Sequence, residues 1–475
     1  MSDWRRPLLA AGLRLGNPVT HRELALLRRL DRAPAAAVRA LHEERLGALL
    51  RHAHATTDYY REALGDAGVV RDGGATVDLS RFEAVPFLTK DVIRDNFDRL
   101  TSRALPPGRR AYANSSGGST GQPARFLQDN HYWDVNVATK TFHFGWFGKR
   151  LGDRELKIWG SEHDLIKGSE SLASRAKAWL YNRRSEQCFS LPKERVEAIV
   201  DAINRFRPTL IWAYRDGIDV VAQHINRHGL RVHRPAAVFI GGGTIYPHIV
   251  EQVGRAFEAP VVNHYGSREM GDVACQCPEL GGLHVSAHSH KVEVVDAAGL
   301  PVVGQEGELA ITSLHNYAMP LIRYRIGDRA TALAEPCPCG RGTPLISPVS
   351  GRVIERLTNA RGDSVDAMFL IHVLGVVANE GFLKRFQVVQ EAPDRLVVNV
   401  ILEAGATREA AAPKLASAAA QIRLLMGPAC RIDYRFVDDI PLTRSGKHPY
   451  VIRRDAVAHP PAAEPAVSTP DDVAA

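Results

Sequence analysis

The sequence predicts a large α/β domain followed by a small α+β domain, on three observations. Between residues 156 and 263, short apolar runs alternate with amphipathic stretches. Residues 156–159, 208–213, 236–240 and 260–263 read as strands, and 194–206, 217–228 and 245–257 as helices. That alternation implies parallel strands joined by helical crossovers. Near Gly351-Arg352 the pattern restarts. A hairpin is expected over 386–390 and 396–402 around Pro393-Asp394, then a helix over 408–425 and a strand over 431–437. Finally, a chain of 475 residues is longer than one simple core fills. The expected division is 1–350, 351–456 and an Ala- and Pro-rich tail at 457–475, read as disordered.

The first ~80 residues read as helical, with apolar residues at helical spacing. Thr89-Lys90-Asp91 reads as a helix N-cap with acidic support in the first turn. From 284 to 332 the pattern turns strand-rich, as in 291–295 and 307–312. No apolar run reaches the ~18 residues that a spanning helix needs. Arg14 cuts short the apolar stretch that begins at Pro7. No leader and no membrane partner are therefore expected, which leaves the cytoplasm. The net charge of +7 comes with no dense basic block. It suits anionic small ligands and not a nucleic-acid groove. Of 60 basic residues, 49 are Arg and 11 are Lys, so an incidental surface cation here would be Arg.

Five segments carry chemistry. In Ser115-Ser116-Gly117-Gly118-Ser119-Thr120-Gly121-Gln122-Pro123, seven of nine residues are Gly, Ser or Thr. Small side chains let the backbone bend and bring N–H groups to an anion, and hydroxyls add donors. The Gly-Lys-Ser/Thr ending of a Walker A loop is missing. Gly241-Gly242-Gly243-Thr244 follows the strand at 236–240, where glycines allow close approach of a ring or phosphate. Tyr265-Gly266-Ser267-Arg268-Glu269 follows the next strand and offers a π-face and a hard carboxylate. Tyr324-Arg325-Ile326-Gly327-Asp328 follows Pro320-Leu321-Ile322-Arg323, and Ser445-Gly446-Lys447 stands near the C-terminus.

In this order and spacing the segments resemble the adenylate-forming superfamily, nearest the phenylacetate–CoA ligase family and its CapK-like branch, from about Pro86 to Arg454. The resemblance implies a large N-terminal domain and a small mobile C-terminal domain. It implies AMP-forming activation of a small organic acid with ATP and Mg²⁺, followed by transfer to CoA. Residues Ser115, Ser116, Gly117, Gly118, Ser119, Thr120 and Gly121 would wrap phosphates. Gly242, Gly243, Tyr265, Gly266, Arg268, Asp328 and Arg352 would complete the nucleotide site. Tyr265 would stack on adenine, Asp328 would take the ribose hydroxyls, Glu269 would help hold Mg²⁺ and Lys447 would be the adenylation lysine. The family often has Lys after the loop's Pro. Here Ala124 and Arg125 stand there. The family's acidic pair after the hinge Gly351-Arg352 is replaced by Val353-Ile354-Glu355.

Of six cysteines, four form two Cys-x-Cys pairs, which in a cytosolic protein favours a metal over disulfides. Cys277, His284, Cys337 and Cys339 make a Cys₃His set suited to structural zinc, and Cys275 is an alternative to Cys277. The aromatic group Phe142, Phe144, Trp146 and Phe147 reads as core. His143, His163, His264 and His288 read as structural. Two other activities fit the same motifs. One is a ligase that uses an amine or activates a non-carboxylate acid. The other is a non-catalytic nucleotide-binding accessory protein in polymer biosynthesis. A homodimer is allowed.

Overall fold

The computed structural model describes residues 4–115, 124–159, 172–188, 191, 193–352, 356–362, 364–374, 378, 382–441 and 449–453. Residues up to Val353 form one compact unit, and Ile354–Ile440, resuming at Pro449, a second.

Four helices open the chain: α1 (Arg5–Gly16), α2 (Pro18–Leu30), α3 (Ala35–Thr56) and α4 (Asp58–Asp66). Asn17 caps α2 by accepting from the Thr20 N–H at 3.1 Å, and Thr57 caps α4 by accepting from Tyr60 N–H at 3.2 Å. The helical expectation for this region fails after Gly68. There β1 (Val70–Arg71) pairs antiparallel with β2 (Thr76–Val77). Val69-Val70 favour extended backbone, and Gly73, at φ 66°, turns the chain. Helix α5 (Lys90–Asp95) starts where expected, with the Thr89 hydroxyl accepting from Val92 N–H at 3.2 Å. A short α6 (Phe97–Leu100) follows.

Strands β3 (Ala111–Ser115) and β4 (Arg125–Asp129) pair antiparallel, with Ser115 opposite Arg125. The two ends of the Gly/Ser-rich segment are thus held side by side. Asp129 then caps α7 (Asn130–Gly145) through the Tyr132 N–H at 2.9 Å.

The crossover region follows the expected order: β5 (Glu155–Trp159), α8 (Leu172–Leu180), β6 (Arg183–Gln187), α9 (Lys193–Phe206), β7 (Leu210–Tyr214), α10 (Arg215–His228), β8 (Ala237–Gly241), α11 (Pro247–Phe257) and β9 (Val261–Ser267). Strands β6-β5-β7-β8-β9 run parallel. All five β8 residues are buried, as a central strand covered on both faces requires. Beyond β9 the sheet turns antiparallel through β10 (Gly271–Gln276), β11 (Leu283–Val285), β15 (Leu345–Ile346), β14 (Tyr324–Leu333), β13 (Glu306–Ser313) and β12 (His290–Val295). Strand β16 (Gly351–Arg352) pairs with β14. Among the described residues the result is a twelve-stranded mixed sheet.

In the second unit β17 (Arg356–Thr358) pairs with β18 (Ser364–Asp366), and a short α12 (Ala367–His372) follows. Strands β19 (Leu383–Ala392) and β20 (Arg395–Leu402) form the expected hairpin around Pro393-Asp394. Helix α13 (Arg408–Met426) leads to β21 (Arg431–Phe436), and β22 (Val451–Arg453) completes a four-stranded sheet of order β21-β20-β19-β22. Val388, Leu396, Val398 and Ile422 are fully buried and form its core. The tail at 457–475 lies outside the described residues.

Candidate active site and metal centre

Ligands of open parallel sheets sit beyond the carboxyl ends of the strands. Among the described residues, Gly242 and Tyr265 stand at the carboxyl ends of neighbouring parallel strands β8 and β9. Gly242, directly after β8, has φ 87°, and a Cβ on it would lie 2.3 Å from the Tyr214 ring. Only glycine fits. Gly243 sits against the buried Arg215 guanidinium, which donates to Thr244 O at 3.1 Å and to Asp216 Oδ1 at 2.8 Å.

Tyr265 does not follow β9. It lies inside it, because the strand continues to Ser267. Gly266 allows this: a Cβ there would come within 2.2 Å of Gly271 O on the neighbouring strand. The Tyr265 hydroxyl donates to Asp328 Oδ2 at 2.9 Å. Asp328 is buried on β14, opposite Arg352 in register. One contact therefore joins two expected nucleotide residues 63 positions apart.

Glu269 is buried in the turn between β9 and β10. Its backbone carbonyl accepts from Tyr132 Oη at 3.2 Å, and that of the half-buried Arg268 accepts from Gln128 Nε2 at 2.8 Å. Gln128 lies on β4, the arm leaving the Gly/Ser-rich segment, and also accepts from Asn114 Nδ2 on β3 at 3.0 Å. The hairpin carrying that segment is thereby fastened to the Glu269 turn. Ser115 is described. Ser116, Gly117, Gly118, Ser119, Thr120, Gly121, Glu355, His163 and Lys447 lie outside the described residues. Where the family often has Lys, Ala124 is buried, and the Arg125 guanidinium lies 5.8 Å from the Phe97 ring centroid.

Cys277, His284, Cys337 and Cys339 converge, with all four ligand atoms within 4.8 Å of one another. Cys277 and Cys337 sulfurs are 3.6 Å apart, and Cys339 Sγ is 3.3 Å from His284 Nε2. Zinc bonds of ~2.0 Å to nitrogen and ~2.3 Å to sulfur separate ligand atoms by roughly 3.3–3.8 Å around a tetrahedron. The spacing fits such an ion and is far too long for a disulfide. His284 Nδ1 meets Thr343 Oγ1 at 2.8 Å, which orients Nε2 toward the sulfurs. Burial, aided by Arg341, lowers the His284 pKa to about 4 and keeps its lone pair available. Cys275 is excluded from this set. It points into a different cluster, with His143 and His264. As expected, Phe144 is core, packed on Phe239 with centroids 4.7 Å apart.

Sequence reasoning passed over Arg215, Lys140 and Asp272. The Lys140 ammonium lies 4.1 Å from the Trp212 ring centroid and 3.9 Å from Asp272 Oδ2. The rarity of lysine was the available signal for Lys140, and the Tyr214-Arg215-Asp216 sequence at the end of a strand was the signal for Arg215.

Residues 357–454 match the family model of the CapK C-terminal domain. The protein CapK of Staphylococcus aureus is 22% identical over 418 residues, covering 87% of this chain and 88% of CapK. The phenylacetate–coenzyme A ligase of Thermus thermophilus is 28% identical over 372 residues, covering 74% of this chain and 81% of the ligase. Among solved structures, 2-hydroxyisobutyryl-CoA ligase superposes with a TM-score of 0.72 at 20% identity, covering 90% of this chain and 92% of that one. By sequence the chain is a homologue of CapK and of the phenylacetate–coenzyme A ligases, and by structure it has the fold of the adenylate-forming ligases.

Proposed function

We propose that this protein activates a small organic acid with ATP and passes the acyl group to coenzyme A. The observation that carries the reading is the Tyr265–Asp328 hydrogen bond beside the Gly242 turn. It puts a ring face and a buried carboxylate together where a parallel sheet presents its ligand. In this reading a carboxylate oxygen attacks the α-phosphorus of ATP, a new O–P bond forms and the α–β bridging bond breaks. Pyrophosphate leaves, and the thiol of coenzyme A then displaces AMP from the acyl carbon. Tyr265 supplies a stacking face for adenine and Asp328 accepts from the ribose hydroxyls. Residues 115–121 supply phosphate donors, and Arg268 and Arg352 supply positive charge. Glu269 would hold Mg²⁺, which neutralises phosphate charge when bound. The relatives named as coenzyme A ligases support the acceptor.

The test is acid-dependent pyrophosphate release across a carboxylate panel, with and without coenzyme A. Release with no acid dependence would favour the accessory-protein reading. Hydroxylamine trapping without coenzyme A turnover would favour an amine acceptor. Asp328→Ala is expected to weaken ATP binding and leave the order of preferred acids unchanged. Tyr265→Phe removes the hydrogen bond that orients the Asp328 carboxylate and is expected to weaken ATP binding less than Asp328→Ala does. Wild-type ATP affinity in the alanine variant would remove Asp328 from the ribose site.

The Cys277, His284, Cys337 and Cys339 cluster would hold a structural zinc, cross-linking β10, β11 and the segment before β15. Cys337→Ser is expected to lose one equivalent of zinc relative to wild type. It should also lower the stability of the first unit more than it changes nucleotide selectivity. Elemental analysis and thermal unfolding read the two effects. An unchanged zinc count would end the assignment.

A further inference from the structure

His143, His264 and Cys275 belong to none of the roles above, yet their ligand atoms all lie within 4.8 Å of one another and all three side chains are buried. The strand register makes the cluster. Cys275 on β10 stands directly opposite His264 on β9, and directly opposed antiparallel residues share a face of the sheet. Helix α7 covers that face and brings in His143. Two distances define the geometry. His143 Nδ1 lies 3.4 Å from His264 Nε2, and Asp272 Oδ1 lies 3.5 Å from the same nitrogen. Both are longer than a good N–H···O or N–H···N bond of about 2.9 Å. One ring nitrogen has a single proton or a single lone pair, so it cannot serve both neighbours well. The His143–His264 distance matches the edge of a tetrahedron with metal–nitrogen bonds of about 2.0–2.1 Å.

We propose that His143, His264 and Cys275 hold a second divalent transition-metal ion, with the Asp272 carboxylate beside His264. Two neutral imidazoles and a thiolate leave part of the +2 charge for the Asp272 carboxylate to offset, 3.5 Å from His264 Nε2, a carboxylate that Lys140 also faces at 3.9 Å. Thiolate and imidazole donors select zinc or a neighbouring first-row ion over magnesium or calcium. An ion held by three buried protein donors from two strands and a helix would cross-link the sheet to α7. What it braces is β9 one residue before Tyr265, and the floor beside the Gly241 turn, where a Cβ would lie 3.0 Å from His264 O. The ion is thus distinct from the one expected at Cys277, from which the indole of Trp146 separates it. That ring lies 4.8 Å from His143 and 5.7 Å from His284, centroid to centroid.

The full chain, purified without chelator and analysed for metals, is expected to carry two equivalents. Cys275→Ser and His143→Gln should each lower the count by one, as should Cys337→Ser, and the Cys275→Ser/Cys337→Ser pair should carry close to none. Reconstitution with cobalt(II) adds a readout independent of counting. Cys337→Ser should keep the weaker charge-transfer band of a single thiolate, and Cys275→Ser the intense band of a three-thiolate set. His143→Gln lies on α7 and leaves the strand shared by the two sites untouched, so it decides the matter if the serine variant misfolds. Folded His143→Gln with the wild-type metal count would make the cluster a hydrogen-bonded core and overturn the proposal. If the wild type carries one equivalent, loss of that ion in His143→Gln but not in Cys337→Ser would support this site and end the other. The reverse pattern would overturn it.

Discussion

Lys447→Ala is expected to slow acid-dependent pyrophosphate exchange roughly 10²–10³-fold or more. In the proposed first half-reaction a carboxylate becomes an acyl phosphate, and negative charge builds on oxygens around the α-phosphorus. A compact ammonium on a flexible stem suits that charge, whereas a planar guanidinium fork cannot replace it atom for atom. Lys447 is one of only 11 lysines beside 49 arginines, and it follows Ser445-Gly446, a sequence that allows a turn. Lys447→Arg should therefore rescue poorly. The variant should still pass the acyl group from a chemically supplied acyl-adenylate to the acceptor, because that step no longer needs charge on the triphosphate stabilised. This second measurement separates a lost catalytic cation from a misfolded chain. Exchange at the wild-type rate would take Lys447 out of the mechanism and strengthen the non-catalytic reading.

The crossover half of the first unit was legible because its signals are local. The β8 run is continuously apolar and ends in glycines, and amphipathic helices flank it. The β1–β2 hairpin was not legible, since two-residue strands leave no periodicity to read. The end of β9 was misplaced because Tyr-Gly-Ser looks like a loop. Gly266 is there for the close approach of the Gly271 carbonyl, which only the sheet reveals. The candidate site divides the same way. Cys277, His284, Cys337 and Cys339 announced themselves through short spacing. The Cys275–His264 pairing is a product of register between strands, and the Tyr265–Asp328 bond joins strands that lie apart in the sheet. Weighing each histidine alone made His143 and His264 look structural, and no sequence rule brings a helix residue 121 positions away onto the same strand face.

Arg323→Met is expected to cost the first unit about 3–5 kcal/mol, the penalty for breaking a buried ion pair by removing one partner. Arg323 is 1% exposed and has φ 51°. Its guanidinium lies 3.2 Å from Glu293 Oε1, donates to Val85 O at 2.7 Å and sits 4.1 Å from the Phe87 ring centroid. It ties the start of β14 to β12 and to the segment before α5, and Asp328 stands five residues further along β14. Burial raises the Glu293 pKa even with Arg323 beside it. A carboxyl with a raised folded-state pKa contributes stability that is present below its unfolded value and lost as pH rises through the folded value. Removing the guanidinium raises that pKa further. The deficit of the methionine variant should therefore be larger at pH 8 than at pH 5, where Glu293 can take up a proton. Glu293→Gln, which leaves a neutral partner, should cost less than Arg323→Met at pH 8. All six tryptophans precede residue 213, so indole fluorescence during urea unfolding follows the first unit without contribution from the second. Equal deficits at the two pH values would mean that Arg323 acts through packing on Phe87 and its carbonyl bonds, with Glu293 a bystander.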